Sequence, residues 1–90
     1  MSTFDRLADL LAKDLGLDRA RLVPDATLED LAIDSLRMIE LAFAVEDAFG
    51  VTIGAEPGEL MARVKTLSDF AGYVDQLLAA RAQGVREAAP

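Results

Sequence analysis

The sequence predicts an all-α protein, a four-helix bundle with three longer helices and one short third helix. Apolar residues recur at helical spacing along three long segments, and glycine or proline residues separate these segments. The short apolar segment Val51-Thr52-Ile53 is too short to support a sheet. Because amphipathic helices bury their apolar faces against each other, we expect a single bundle.

The composition limits the classes of partner and chemistry. The chain has 90 residues, enough for one domain, and a formal net charge of −7. Binding to nucleic acid or to an anionic membrane needs clustered Lys and Arg, so we expect neither, whereas a basic protein surface is a suitable partner. The chain contains no cysteine and no histidine, which removes a thiolate nucleophile, disulfides and the commonest general base.

The sequence also lacks the signals of a metal site, a leader or a membrane span. Its 16 carboxylates do not have the spacing of a calcium loop, so we expect no bound metal. The N-terminal residues show no basic region followed by a long apolar run, and no apolar segment approaches the length of a membrane span. We therefore expect a cytoplasmic protein.

The first helix is predicted from about Thr3 to Leu15, with Gly16 just past its end. Residues 17–26 are predicted to form a loop. The sequence Thr27-Leu28-Glu29-Asp30 is similar to a capping box and predicts a short turn before Leu31. Ser2 or Thr3 is suited to cap the start of the first helix.

The second helix is predicted to begin at Asp34 or Ser35 and to end at Phe49, before Gly50. A projection at 100° per residue separates a core face from an outer face. The core face holds Met38, Leu41, Ala42, Val45 and Phe49, with Ile39 at its border. The sector opposite the core holds Arg37, Glu40, Ala44 and Asp47. Leu36 and Phe43 fall beside Glu40 and Asp47, away from the core face.

The last two helices follow a loop that begins at Gly54. Pro57 suits the first turn of a short helix at about residues 58–64. Thr66-Leu67-Ser68-Asp69 is a second capping-box pattern and predicts a final helix that fades near Ala82. We expect one domain over residues 1–83 and a flexible tail over residues 84–90.

Ser35 is the residue with the most distinctive position. Serine is a favoured helix N-cap, and the local pattern by itself favours that structural role. No His, Cys or neighbouring Lys is available to activate the hydroxyl, so we do not expect Ser35 to act as a catalytic nucleophile. Another enzyme could still modify it, and the positive end of the helix would favour an attached phosphate.

Asp34-Ser35-Leu36 resembles the prosthetic-group attachment site of acyl carrier proteins. The segments Ile39-Glu40-Leu41 and Glu46-Asp47-Ala48-Phe49-Gly50 follow in the order and spacing of that family. The resemblance extends from Phe4 to Leu78 and implies a helical bundle of acyl-carrier type. It also implies a carrier, not an enzyme.

The resemblance implies that Ser35 bears a covalent 4′-phosphopantetheine arm, transferred from coenzyme A by a phosphopantetheinyl transferase with magnesium. Asp34 would help to orient the transferase complex. Further implied partners are acyl-activating enzymes, acyltransferases or synthases with basic docking patches, and we expect a monomeric carrier. The docking residues would be Leu36, Arg37, Glu40, Phe43 and Asp47.

Residues that would line an acyl-binding cleft between helices are Ile39, Leu41, Val45, Ile53 and Met61. For each of these residues singly, plain core packing is the simpler interpretation. The bundle would then hold its cargo between helices that also form its core.

Three departures from the family pattern favour a specialised carrier. Arg37 follows the motif where fatty-acid carriers often have an acidic residue, Gly54 stands where many have proline, and residues 54–65 form a longer and more basic segment. These features suggest specialised fatty-acid, polyketide or secondary-metabolite biosynthesis. The alternatives are an aminoacyl or peptidyl carrier, which Asp34 disfavours, and an unmodified helical interaction module in which Ser35 is only a cap.

Overall fold

The predicted all-α bundle is confirmed by a computed structural model, which describes residues 2–82. Four α-helices follow in order: α1 Thr3–Asp14, α2 Ser35–Phe49, α3 Pro57–Arg63 and α4 Leu67–Ala82. A short 3-10 helix, Arg19–Arg21, lies in the loop after α1. The predicted tail and the predicted domain end at residue 83 lie outside the described residues. No helix within this part of the chain is long and apolar enough to cross a membrane.

The helix ends follow the local sequence signals. The Ser2 hydroxyl accepts a hydrogen bond from the Asp5 N–H, which caps α1. Helix α2 ends at Gly50, whose φ of 68° is a left-handed conformation that glycine adopts without steric cost. At the start of α4, Thr66 and Asp69 form the predicted capping box, with each side chain accepting from the other residue's N–H.

The core lies where the four helices meet, and the loops contribute to it. Helix α2 contributes the predicted face, since Met38, Leu41, Val45 and Phe49 are buried. Ala42 is half-buried, and Ile39, placed at the border of that face, is 38% exposed. Helix α4 contributes a second buried face, which consists of Leu67, Phe70, Ala71 and Val74.

The loop before α2 is anchored by apolar side chains. Leu28, Leu31 and Ile33 are all buried, so these residues of the loop belong to the core. The Thr27 hydroxyl accepts from the Asp30 N–H at 2.9 Å, which closes the predicted short turn. The loop therefore holds a defined shape up to the first residue of α2.

Backbone hydrogen bonds join this loop to the link between α3 and α4. The Leu28 N–H donates to the Lys65 carbonyl at 3.0 Å, and the Leu67 N–H donates to the Ala26 carbonyl at 2.9 Å. These two bonds form an isolated antiparallel bridge between Thr27 and Thr66. The start of α2 is thereby fixed relative to α3 and α4.

Ala32, three residues before Ser35, has a φ of 57°. A left-handed backbone places the Cβ of an L-residue close to the following carbonyl, at a cost of about 1–2 kcal/mol. Replacing Ala32 by glycine removes this clash, although glycine loses about 0.5–1 kcal/mol through its greater unfolded-state entropy.

We expect Ala32→Gly to stabilise the protein by about 0.5–1 kcal/mol, because the relieved strain exceeds the added entropy cost. Urea unfolding measures the change. Ala79→Gly is the matched control at an exposed position inside α4, and it should destabilise by about 1 kcal/mol. Equal destabilisation by both substitutions would contradict a strained backbone at Ala32.

Candidate functional site

Ser35 is the first residue of α2, and Asp34 caps the helix. Asp34 has an extended backbone, and its Oδ1 accepts a hydrogen bond from the Arg37 N–H at 2.9 Å. The interpretation of Ser35 as the N-cap is therefore wrong, since the preceding carboxylate takes this role. Ser35 is exposed, and its hydroxyl does not cap the helix.

The surroundings of Ser35 suit an attached phosphate. Of the first N–H groups of α2, that of Arg37 is satisfied by Asp34. Within residues 2–82, the N–H groups of Ser35 and Leu36 have no protein acceptor, so they remain available to a phosphate or to solvent. The helix dipole also favours negative charge at this end. The residues present therefore fit the phosphate of a 4′-phosphopantetheine group.

No side chain in the described part of the chain is placed to activate the Ser35 hydroxyl. The side-chain neighbour of Ser35 Oγ is Met61, whose Sδ lies 4.0 Å away. A thioether cannot act as a general base, so Ser35 has no internal means of becoming a nucleophile. Over residues 2–82 there is also no cluster of acidic side chains that could hold a metal ion.

A groove of about 620 Å³ lies beside Ser35, between the loop before α2 and the C-terminal part of α3. We call it the Ser35 groove. It is lined by residues 27–29 and 32–34 of the loop and by Met61, Val64 and Lys65. Leu28, Ile33 and Val64 are buried and form an apolar floor, whereas Glu29, Asp34 and Lys65 supply charged groups.

The Ser35 groove differs from the cleft that the sequence predicts. Of the residues expected to line a cleft, Met61 does so. Leu41 and Val45 are fully buried in the core, Ile53 is half-buried, and Ile39 is exposed. The helical faces are packed against each other, so the open space lies between a loop and α3 instead.

The outward side of α2 combines apolar and acidic side chains. We call Leu36, Glu40, Phe43 and Asp47 the α2 outer face; their spacing of four, three and four residues aligns them along the helix. Leu36 is 65% exposed and Phe43 is 67% exposed, and both acidic residues are exposed as predicted. Two large apolar side chains and two acidic ones are therefore exposed along this side of α2.

Arg37 has a structural contact in addition to its predicted docking role. Its Nη1 donates to the Leu15 carbonyl at 3.2 Å, so the side chain joins the first turn of α2 to the C-terminal end of α1. A basic group at the last carbonyls of a helix is favourable. The Glu46 side chain also has a structural contact, since its Oε2 accepts a hydrogen bond from the Ile53 N–H at 2.7 Å.

Sequence reasoning missed two features of the site. The left-handed Ala32 gives no sequence signal, because glycine or asparagine is the usual residue in that conformation. The contact between Met61 and Ser35 joins residues 26 positions apart. Local patterns carry no information about a contact at that separation.

The capping arrangement predicts different effects of two neighbouring substitutions. We expect Asp34→Ala to lower the free energy of unfolding by about 1 kcal/mol, because the cap of α2 is lost. Ser35→Ala removes no capping hydrogen bond, so the free energy of unfolding should change by no more than about 0.5 kcal/mol. Urea unfolding of both variants measures the difference. Equal losses would contradict Asp34 as the cap.

Two comparisons with known proteins agree with this site. The family model described as "Phosphopantetheine attachment site" matches residues 5–74. The chain is also 43% identical over 56 residues to the acyl carrier protein AcpXL of Brucella melitensis. That alignment covers 61% of this chain and 60% of the relative. Because the family model matches most of the chain, the protein belongs to the acyl carrier protein family, whose domain is a site of covalent 4′-phosphopantetheine attachment.

Proposed function

We propose that the protein carries acyl groups as thioesters on a 4′-phosphopantetheine arm attached to Ser35. The observation on which this rests is the exposed Ser35 hydroxyl at the positive end of α2, released from capping by Asp34. When attached, the arm supplies a terminal thiol that forms the thioester. Tethering the cargo raises its effective concentration at the active site of each partner.

The attachment requires another enzyme. Ser35 has no internal general base, so a phosphopantetheinyl transferase must supply the base and the magnesium ion, with coenzyme A as the donor of the arm. Asp34 contributes by capping α2, which fixes the helix start that bears Ser35. The protein itself acts as a carrier and not as an enzyme.

Acyl cargo is favoured over aminoacyl or peptidyl cargo. The relative from Brucella melitensis is named as an acyl carrier protein, and this kinship supports the same class of cargo here. The basic Arg37 and the longer segment over residues 54–65 support a specialised fatty-acid, polyketide or secondary-metabolite pathway. A cytoplasmic location and a monomeric state belong to this proposal and remain predictions.

The α2 outer face is the surface that we propose for docking to partner enzymes. Leu36 and Phe43 offer apolar anchors, and Glu40 and Asp47 attract a basic patch. Because the face lies on the helix that begins at Ser35, a partner bound there is close to the attached arm. Arg37 contributes one positive charge at the Ser35 end, although its guanidinium also contacts Leu15.

We expect wild-type protein to gain the mass of one phosphopantetheinyl group when incubated with coenzyme A, magnesium and a broad-specificity transferase. Ser35→Ala should gain none, because it lacks the acceptor hydroxyl. Intact-protein mass spectrometry measures both. Circular dichroism of the variant is the control for folding.

The same experiment separates the carrier from an unmodified interaction module. No mass gain by folded wild-type protein with several transferases would leave Ser35 without a role in attachment and would favour the module. A mass gain in Ser35→Ala would locate the attachment elsewhere.

We expect Phe43→Ala to lower kcat/KM for arm attachment by about tenfold, since truncating a central apolar anchor typically costs more than 1 kcal/mol of binding. Steady-state kinetics of the transferase measures the change. Val23→Ala is the matched control, because Val23 is also a large exposed apolar residue but lies in the loop before α2. An equal effect of the two substitutions would contradict a docking role for the α2 outer face.

A further inference from the structure

We propose that Arg63 and Lys65 form a basic docking site for acidic residues of the phosphopantetheinyl transferase that modifies Ser35. We call these two residues the α3 basic pair. The inference rests on the proposed carrier function and deepens it, because it states the surface chemistry of one partner. The transferase surface that covers Ser35 is then basic opposite the α2 outer face and acidic opposite the end of α3.

The α3 basic pair is a local exception in an acidic chain, whose formal net charge is −7. Arg63 is the last residue of α3 and Lys65 follows two positions later, and both residues are exposed. The ion pairs within residues 2–82 join Arg19 to Asp5 and Asp9, so neither member of the α3 basic pair has a carboxylate partner in that part of the chain. Their charges are therefore available to the acidic groups of a partner.

Arg63 is held in place by two stacked aromatic rings. Its guanidinium carbon lies 5.3 Å from the centre of the Tyr73 ring, a distance typical of a cation–π contact. The Tyr73 ring in turn meets the buried Phe70 ring edge to face, with the ring centres 6.4 Å apart. Because this stacking restricts the Arg63 side chain before docking, less conformational entropy is lost when it pairs with a carboxylate.

The α3 basic pair lies on the same side of α2 as the attachment point. Lys65 and Met61 both line the Ser35 groove, and the Met61 Sδ lies 4.0 Å from the Ser35 Oγ. Arg37 follows Ser35 by two residues, about 200° around the helix, and it contacts α1 through the Leu15 carbonyl. Helices α1 and α3 therefore lie on opposite sides of the start of α2, and Ser35 faces α3.

The transferase is the partner whose surface must cover this side of the protein. An enzyme that receives a cargo meets the far end of the arm, whereas the enzyme that attaches the arm must bring its active site to the Ser35 oxygen. Reaching that oxygen places enzyme surface beside Met61 and the rim of the Ser35 groove, where Lys65 lies. Carboxylates on that surface would pair with the α3 basic pair and fix the docked orientation.

The test compares wild type, Lys65→Glu, Arg63→Glu and Lys13→Glu as substrates of the transferase that modifies the wild-type protein, with coenzyme A and magnesium. Intact mass over time gives kcat/KM, and urea unfolding verifies that each variant is folded. Lys13→Glu is the matched control, because Lys13 and Lys65 are the two lysines of the chain and Lys13 lies in α1, on the opposite side of α2. The three variants change the net charge equally.

We expect Lys65→Glu and Arg63→Glu each to lower kcat/KM by about fivefold at low salt, because a repulsive charge pair replaces an attractive one. The loss should shrink as sodium chloride is added, since salt screens exposed charges but does not repair a structural defect. Lys13→Glu should stay within about twofold of wild type. As a measure of binding alone, the unmodifiable Ser35→Ala should inhibit modification of wild type, and adding Lys65→Glu to it should weaken this inhibition by about fivefold.

An unchanged or raised kcat/KM for Lys65→Glu would overturn the docking site while leaving the carrier function intact, since wild type is still modified. A loss that salt does not reduce, or an equal loss in Lys13→Glu, would reject it as well. If Arg63→Glu does not fold, Lys65→Glu alone decides. Failure of folded wild type to acquire the arm overturns the carrier function and this inference together, and it is recognised before any variant is compared.

Discussion

The position of Ser35 depends on the burial of three apolar side chains in the loop that precedes it. Leu28, Leu31 and Ile33 insert into the core, and backbone hydrogen bonds join this loop to the link between α3 and α4. The loop therefore delivers the chain to the start of α2 at one fixed place. Backbone strain at Ala32 is tolerated because these surrounding contacts determine the conformation.

At the N-terminus of α2, one residue caps the helix and the next one bears the hydroxyl proposed for attachment. Asp34 takes the capping hydrogen bond, and Ser35, one residue later, stays exposed with a hydroxyl that takes no part in capping. Two adjacent polar residues are needed for this division, since a single residue could not both cap the helix and bear a phosphodiester on the same oxygen. A stability comparison of the two alanine variants is informative for this reason.

Opposite sides of helix α2 face the core and the solvent. Met38, Leu41 and Val45 are fully buried, whereas Leu36 and Phe43 remain about two-thirds exposed. Exposed apolar groups favour association, and the formal net charge of −7 opposes indiscriminate association through mutual repulsion. This combination suits the short-lived docking to basic partners that the proposed carrier function requires. Helix α3 is too short to be stable alone, so it depends on the burial of Leu60 and Val64.

The sequence by itself determined the helices, the approximate positions of their ends and the outward position of Leu36 and Phe43. These features depend on residue spacing and on local signals such as the capping box at Thr66 and Asp69. It did not decide between Asp34 and Ser35 as the cap, because both residue types suit that position. The tertiary structure alone decided where the groove lies and that Met61 reaches Ser35. Those outcomes depend on how distant segments pack, and close packing of α2 against its neighbours left open space beside the loop instead of between the helices.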